Sequence, residues 1–332
     1  MIDLTKGKIL VTGGAGFIGS ALIWALNLKG IDDILVCDFL GTDDKWRNLV
    51  PLRFDDFIPP EKLLDRIERQ SGSLDDIRTV FHLGACSATT ERDLGYLMRN
   101  NFEFTKILAE WSAPRKIRFT YASSAATYGD GSAGMKDDES DLDRLRPLNG
   151  YAFSKQRFDL YASRRGLLSQ FVGLKYFNVF GPNEGHKGDM RSVVHKAFKQ
   201  VQTTGKIQLF RSYHPDYRDG EQKRDFLYVK DAVEMTIFLA SNPSASGIFN
   251  LGFGRARTWI DLANAVFSAL GKPPVIEFIE MPETLRPNYQ NFTEAAIDKL
   301  RGLGFKGPRF PLEEAVRDYV QNYLVPGRPL EP

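Results

Sequence analysis

Short apolar runs alternate with amphipathic stretches through the first half of the chain. KILVT at 8–12 is a continuous apolar run, the pattern of a strand buried on both faces. FIGSALIWALNLKG at 17–30 has helical spacing and ends on a glycine. DILVCD at 33–38 predicts a second strand, and RTVFHLGA (78–85), IRFTYASS (117–124) and QFVGLKYFN (170–178) predict later ones. Stretches near 60–70, 91–112 and 150–166 read as helices between them. Strands alternating with helices predict an α/β protein built on a doubly wound parallel sheet. After residue 179 the rhythm breaks. Residues 190–201 are helical, 212–225 form a polar loop, and 226–240 return to strand and then helix. GIFNLG predicts one more strand, with amphipathic helices at 258–270 and 311–324. The expected layout is a nucleotide-binding domain over 1–178 and about 226–250, with a smaller α/β substrate domain over 179–225 and 251–332.

Composition narrows the partners. A chain of 332 residues, 42% of them hydrophobic, can bury a sizeable core. The formal net charge of +2 gives no electrostatic case for nucleic acid or for an anionic membrane surface. No window has the run of apolar residues that a membrane span needs. The start, MIDLTKGKILVTGG, lacks the zones of a signal peptide. Two cysteines, Cys37 and Cys86, cannot build a disulfide framework or a Cys-rich zinc site, so no metal is expected. A reducing cytoplasm fits these features.

VTGGAGFIGS sets Gly13, Gly16 and Gly19 between the first strand and the first helix, and Asp38 ends the second strand. Glycines there let backbone approach a pyrophosphate, and the helix N-terminus offers unbonded N–H groups and a positive dipole end. This makes the sheet Rossmann-type. Asp38 suits the ribose hydroxyls of NAD. Lys45 and Arg47, a few residues on, suit the 2′-phosphate of NADP, and both readings stand.

GYAFSK places Tyr151 and Lys155 four apart on one helix face. A phenol must fall by roughly 3 pKa units to act as a base at neutral pH, and a nearby ammonium and a cationic nicotinamide favour that. Ser124, at the end of the strand in YASSAATYG, is within reach of the phenol or a substrate oxygen. EGHKG supplies a second candidate base, Lys187, in a separate loop. His82, His186 and His195 are expected to be structural or to shape that loop.

VTGGAGFIGS, GACSATTE, YASSAATYG, YFNVFGP, EGHKG, KRDF and FNLG occur in this order over nearly the whole chain. Together they resemble the extended short-chain dehydrogenase/reductases, and within them the ADP-heptose 6-epimerases. The resemblance implies transient oxidation of the sugar at C6 by a bound NADP, with NAD also possible, and return of hydride to the opposite face. It implies Tyr151 and Lys187 as two bases, one for each epimer, assisted by Lys155 and Ser124. By the same resemblance Gly13, Gly16, Phe17, Ile18, Gly19, Asp38, Phe39, Lys45, Leu83, Gly84, Ala85, Cys86, Ser87, Asn100, Lys155 and Val179 contact the cofactor. Asn178, Asp189, Lys196, Phe210, Arg211, Ser212, Arg224 and Tyr289 contact the ADP-heptose, with Arg224 on the diphosphate. A homo-oligomer, often a pentamer, is also implied. The chain departs from the family at Phe39, where an Asn is usual, and at Pro60, where a cofactor-binding Lys is usual and where Arg53 or Lys62 would substitute. It departs again at Asp189 and Lys196, and Asp189 would tend to keep Lys187 protonated.

Three other functions fit the fold. A nucleotide-sugar 4-epimerase shares the Ser–Tyr–Lys set, as does a 4,6-dehydratase. The dehydratase also needs an acid pair after the serine strand, where this chain has Ala125 and Ala126. A non-catalytic dinucleotide sensor would have no use for Ser124, Tyr151 and Lys155 together.

Overall fold

The structure, a computed structural model, describes residues 1–283, 285–286 and 289–332. The chain opens with strand β1 (Lys8–Thr12), helix α1 (Phe17–Leu28), β2 (Ile34–Cys37), β3 (Asp56–Ile58), α2 (Pro60–Glu68) and β4 (Ile77–His82). A broken helical segment follows: α3 (Leu94–Leu97), a π-turn over Met98–Glu103, and α4 (Phe104–Ser112). Next come β5 (Arg118–Ser124), α5 (Gly150–Arg164) and β6 (Val172–Tyr176). These strands, joined by a later β11 (Gly247–Leu251), form a seven-stranded sheet in the order β11-β6-β5-β4-β1-β2-β3. Every pairing in it is parallel. The topological switch lies between β1 and β4, and ligands of open α/β sheets bind at such a point, outside the carboxyl ends of the strands. Helices cover both faces, so β1, β2 and β6 are almost wholly buried.

The second half of the chain builds outward from the carboxyl end of that sheet. β7 (Asn178–Phe180) leads into α6 (Val193–Thr204) and β8 (Ile207–Phe210). β9 (Lys223–Arg224), β10 (Phe226–Tyr228) and α7 (Val229–Ser241) bring the chain back to β11. β12 (Arg257–Thr258), α8 (Trp259–Ala269), β13 (Ile276–Ile279), α9 (Asp298–Gly302) and α10 (Leu312–Tyr319) complete it. Three two-stranded pairs, β7 with β10, β9 with β12 and β8 with β13, stand outside the main sheet. One apolar cluster runs without a break from β1 and α1 through α7 to α6, α8 and α10.

Three expectations change in detail. The strand expected over 170–178 divides at Phe177: β6 pairs in the main sheet, whereas β7 pairs with β10. The split turns the chain out of the sheet toward the second half. The helix expected over 91–112 is interrupted by the π-turn, a feature frequent at functional sites. The helix expected from 190 starts at Val193, because the Ser192 side chain caps it by accepting from His195 N–H.

Candidate active site

At the carboxyl ends of β1, β2 and β4 lies a cavity of about 410 Å³. Gly13, Gly16, Phe17, Ile18 and Gly19 line it from the first turn, Asp38 and Lys45 from the second, and Leu83 to Ser87 from the loop after β4. The fingerprint glycines are needed by close packing. Gly13 has φ +69°, and a Cβ there would lie 2.6 Å from Gly84 N. A Cβ on Gly19 would lie 2.0 Å from the Gly13 carbonyl oxygen. Gly16 precedes α1 without any side-chain cap, so the first N–H groups of that helix are left for a ligand. Such an uncapped, glycine-lined helix start fits the pyrophosphate of a dinucleotide.

Asp38 accepts from Ala15 N–H at 2.9 Å and from Lys45 Nζ at 3.0 Å. The residues that argued for NAD and for NADP are therefore paired with each other on the cavity wall. Arg47 lies apart, bonded to Asp44 and set over the Trp46 ring. Phe39 is 69% exposed and lies outside the cavity lining. Neither cation offered in place of the missing lysine lines the cavity: Arg53 donates to Asn27 O, and Lys62 is exposed.

α5 carries Tyr151 and Lys155, and Asn149 starts it by accepting from Ala152 N–H. Burial holds the Tyr151 phenol above its ordinary value, and neighbouring Ser124 offsets this in part. Lys155 is 5% exposed and donates to Ala122 O at 2.8 Å. Burial pulls it down to about 8, opposed by Asp159 one turn further along the helix. The lowered phenol expected from the sequence is thus not a property of the protein alone.

Asn100 donates to Tyr96 O in its own helix. Its neighbour Asn101 does the bridging, accepting from Cys86 N–H at 2.8 Å and donating to Cys86 O and Ser154 Oγ. The sequence contained the pair but did not tell which member faces inward, because the π-turn shifts the helical register there.

Lys187 also reaches the dinucleotide cavity. Its Nζ lies 5.3 Å from the centre of the Phe17 ring. Burial lowers its pKa and Glu184 opposes this. Glu184, not the exposed Asp189, is the carboxylate that acts on Lys187. Sequence reading had passed over Glu184 although it opens the EGHKG motif. His186 lines the same cavity, and Asn48 Nδ2 lies 3.3 Å from its Nδ1. His82 and His195 are buried, with His82 bridging Thr12 and Thr105 and His195 facing the Tyr319 hydroxyl.

A second cavity of about 210 Å³ lies between β7, α6 and α8, lined by Asn178, Val179, Phe226 and Trp259. Val179, expected at the cofactor, belongs here instead. Met190 lines both cavities and so forms their common wall. Beside Trp259, Arg224 is 6% exposed, with its guanidinium 5.5 Å from the Trp259 ring centre and 5.0 Å from that of Tyr289. Trp259 Nε1 donates to the Tyr289 hydroxyl at 2.9 Å, locking this aromatic cradle. Among the described residues no carboxylate pairs with Arg224. A buried guanidinium without a counter-charge is costly, and an anionic ligand supplies the missing charge. Next to it, Asp225 accepts from Phe253, Gly254 and Ala295 N–H groups and fastens the surrounding loops.

The remaining expected contacts are dispersed. Arg211 pairs with Asp219 and Glu280, and the Ser212 amide also donates to Asp219. Phe210 ends β8, partly buried. Lys196 and Asp189 are exposed and outside both cavity linings. Among the described residues there is no cluster of three or more metal-ligating side chains, and no helix long and apolar enough to cross a membrane.

Comparisons with known proteins agree with this geometry. Residues 9–252 match the NAD dependent epimerase/dehydratase family. The ADP-L-glycero-D-manno-heptose-6-epimerase of Nitratidesulfovibrio vulgaris is 53% identical over 321 residues, covering 96% of this chain and 99% of the relative. The crystal structure of the Helicobacter pylori ADP-L-glycero-D-manno-heptose-6-epimerase superposes with a TM-score of 0.79 at 27% identity, covering 97% of this chain and 98% of that one. The Thermus thermophilus UDP-glucose 4-epimerase in complex with NAD superposes with a TM-score of 0.74 at 28% identity, covering 94% and 97%.

Proposed function

The chain belongs to the NAD dependent epimerase/dehydratase family, and from that premise we propose that it inverts C6 of ADP-D-glycero-D-manno-heptose to give the L-glycero epimer. It is a nucleotide-sugar epimerase whose cofactor is a nicotinamide dinucleotide. When bound, that cofactor accepts the C6 hydride and returns it to the other face of the resulting ketone.

The protein's part is to hold the sugar and move protons. Tyr151 takes the hydroxyl proton of one epimer, with Ser124 beside it favouring the phenolate. Lys155 brings positive charge beneath the site while tied to Ala122 O. Lys187 takes the proton of the other epimer in its neutral form, toward which burial shifts it, and in the reverse sense its ammonium returns a proton to the ketone oxygen, as the Tyr151 hydroxyl does on the other side. C6 is exocyclic, so rotation about one bond turns the ketone without releasing the sugar. Arg224 holds the diphosphate, since a guanidinium fork matches phosphate oxygens.

The observation that carries this reading is the position of Lys187. It faces the dinucleotide cavity from a loop remote in sequence from α5, and Met190, three residues on, opens onto the second cavity. A family member with Tyr151 alone would not need a half-buried amine there.

We propose NADP as the preferred cofactor, because Lys45 compensates Asp38 on the cavity wall and offers an ammonium to a 2′-phosphate. Mass spectrometry of the dinucleotide released from the purified protein decides between NADP and NAD. A homo-oligomer, by resemblance a pentamer, is proposed too, supported by exposed Leu94, Tyr96 and Phe153 on neighbouring α3 and α5. Free cysteines suit action in the reducing cytoplasm.

The test is NMR-monitored interconversion of the two ADP-heptoses, with UDP- and GDP-hexoses as competitors for assignment. Tyr151→Phe and Lys187→Met should each lower kcat by about 10²-fold or more. Turnover of a UDP-hexose alone would assign a 4-epimerase instead. Bound dinucleotide without isotope exchange into any sugar would assign a sensor.

A further inference from the structure

The loop that carries Lys187 is closed by one buried carboxylate. Glu184 is 1% exposed. Its two oxygens accept from the N–H and Oγ of Ser192 and, at 3.4 Å, from the N–H of Gly181. Gly181 and Ser192 are the two ends of the loop, so the side chain draws its start and finish together. Tyr319 of α10 lies close enough for the same carboxylate to raise its phenol, while its hydroxyl faces His195 Nδ1 at 3.1 Å. The Glu184 carbonyl meanwhile accepts from Lys187 N–H at 3.1 Å, fixing the backbone on which the amine stands.

The residue before it completes the anchor. Asn183 has φ +75° and bonds Ser20 Oγ on α1 and Leu330 N–H near the C-terminus. Asn48 Nδ2 bonds both Asn183 O and Ala15 O, tying the loop to the dinucleotide fingerprint. The loop is therefore a rigid wall of the cavity rather than a free lid. Its buried fastenings converge on Asn183 and Glu184, four and three positions before Lys187, with Asn48 on His186 and Arg191 on Gly185 O as further ties.

We propose that Glu184 is a positioning residue for the epimerisation: it ties the ends of the loop together, holds Lys187 over the dinucleotide cavity and places a buried carboxylate three residues from the amine. This rests on the reading of Lys187 as the second base. A lysine surrendered to burial alone would be neutral early but unanchored. A lysine beside an unfastened acid would stay charged. Glu184 lies between these: its charge acts on Lys187, while Ser192 and Gly181 keep the carboxylate occupied.

The other charged groups around the pair are few. Arg191 belongs to the same loop and donates to Gly185 O at 2.8 Å, His195 faces the Tyr319 hydroxyl, and His186, the titratable neighbour of the amine, feels Asp43, Lys187 and Lys45. Phe17, the other neighbour of the amine, is uncharged. Removing the Glu184 charge therefore acts on Lys187 with little competition. The direction follows: Glu184 favours the ammonium, so without it the amine becomes neutral at lower pH.

The experiment compares kcat/KM against pH for the wild-type holoenzyme, Glu184→Gln and Glu184→Ala, in both directions of epimerisation. Glutamine keeps an acceptor for Ser192 but removes the charge. It should retain kcat within a few-fold at the optimum and move the limb set by Lys187 to lower pH: the acidic limb in the direction in which the amine accepts a proton, the alkaline limb in the direction in which the ammonium donates one. Alanine opens the loop and should lower kcat by about 10²-fold, as a misplacement near 1 Å does, with KM little changed. Competitive acylation of Lys187 followed by mass spectrometry reads the amine directly and should show the same shift in Glu184→Gln. A Glu184→Gln profile and labelling curve that overlay the wild type would overturn the proposal, even if Glu184→Ala is lost to misfolding. Lys187→Met separates the two ideas. If it is inactive while Glu184→Gln matches the wild type, only the role of Glu184 falls. If it epimerises at full rate, the second-base reading falls and this proposal with it.

Discussion

At the scale of single residues, burial controls the protons of this site. Tyr151 and Lys155 are both displaced toward their neutral forms, the phenol upward and the ammonium down to about 8. Each would need the other charged, and the cation that tips the balance arrives with the oxidised nicotinamide. The site is thus quiet until the cofactor is in place. His82 shows the same force without chemistry. It lies in the core between Thr12 and Thr105, and burial pulls it from 6.5 to about 3. Below pH 6.5 the unfolded chain binds a proton there that the native state does not bind. Stability from this group is complete above pH 6.5 and is lost progressively as pH falls toward 3, by about 1.4 kcal/mol per pH unit. His195, lowered to about 4, acts in the same direction, while Asp225, raised to about 6, acts in the opposite one below pH 6. Urea unfolding between pH 6.5 and 5 should accordingly be steeper in pH for the wild type than for His82→Gln, by about one proton's slope.

At the scale of elements, the π-turn of Met98–Glu103 does the most for the site. It rotates Asn101 inward, where it clasps the backbone of Cys86 and the Ser154 side chain of α5. The loop lining the dinucleotide and the helix bearing Tyr151 are thereby joined by one amide. Asn101→Ala leaves a backbone donor and acceptor without partners and should cost about 1–3 kcal/mol of stability. It should also weaken dinucleotide binding, whereas Asn100→Ala should leave both unchanged; denaturation and cofactor titration of the two variants check this. The contrast marks where sequence reading stops. Strong periodicity made the sheet strands, α1 and α5 legible, and the glycine spacing located the dinucleotide cavity. A π-turn has no periodic signature, so the inward-facing asparagine was not distinguishable from its neighbour. β3 was missed for a related reason: three residues, one of them an exposed aspartate, carry too little pattern.

At the scale of the molecule, what was illegible is what depends on distant segments meeting. Ser124, Tyr151 and Lys155 come from adjacent elements and could be grouped from the chain alone. The anchoring of Asn183 to Ser20, Asn48 and Leu330, and the cradle of Trp259 and Tyr289 around Arg224, each arise only when remote stretches pack. The charged substitutions at Asp189 and Lys196 were weighed as part of the site because the family places contacts there, and both prove exposed. The two-cavity layout, with Met190 between, also emerged only from the folded chain.

The order of strands in the main sheet bears on how the protein is made. β6 has β5 on one side and β11 on the other, and every residue of β6 is buried. β11 is a late segment, so a nascent polypeptide leaves the ribosome with β6 as an open, apolar edge until Leu251 has emerged. Such an edge invites pairing with other chains. Translation stalled before Gly247 should therefore yield fragments that a chaperone holds or that aggregate, and resuming synthesis through β11 should release them in soluble form.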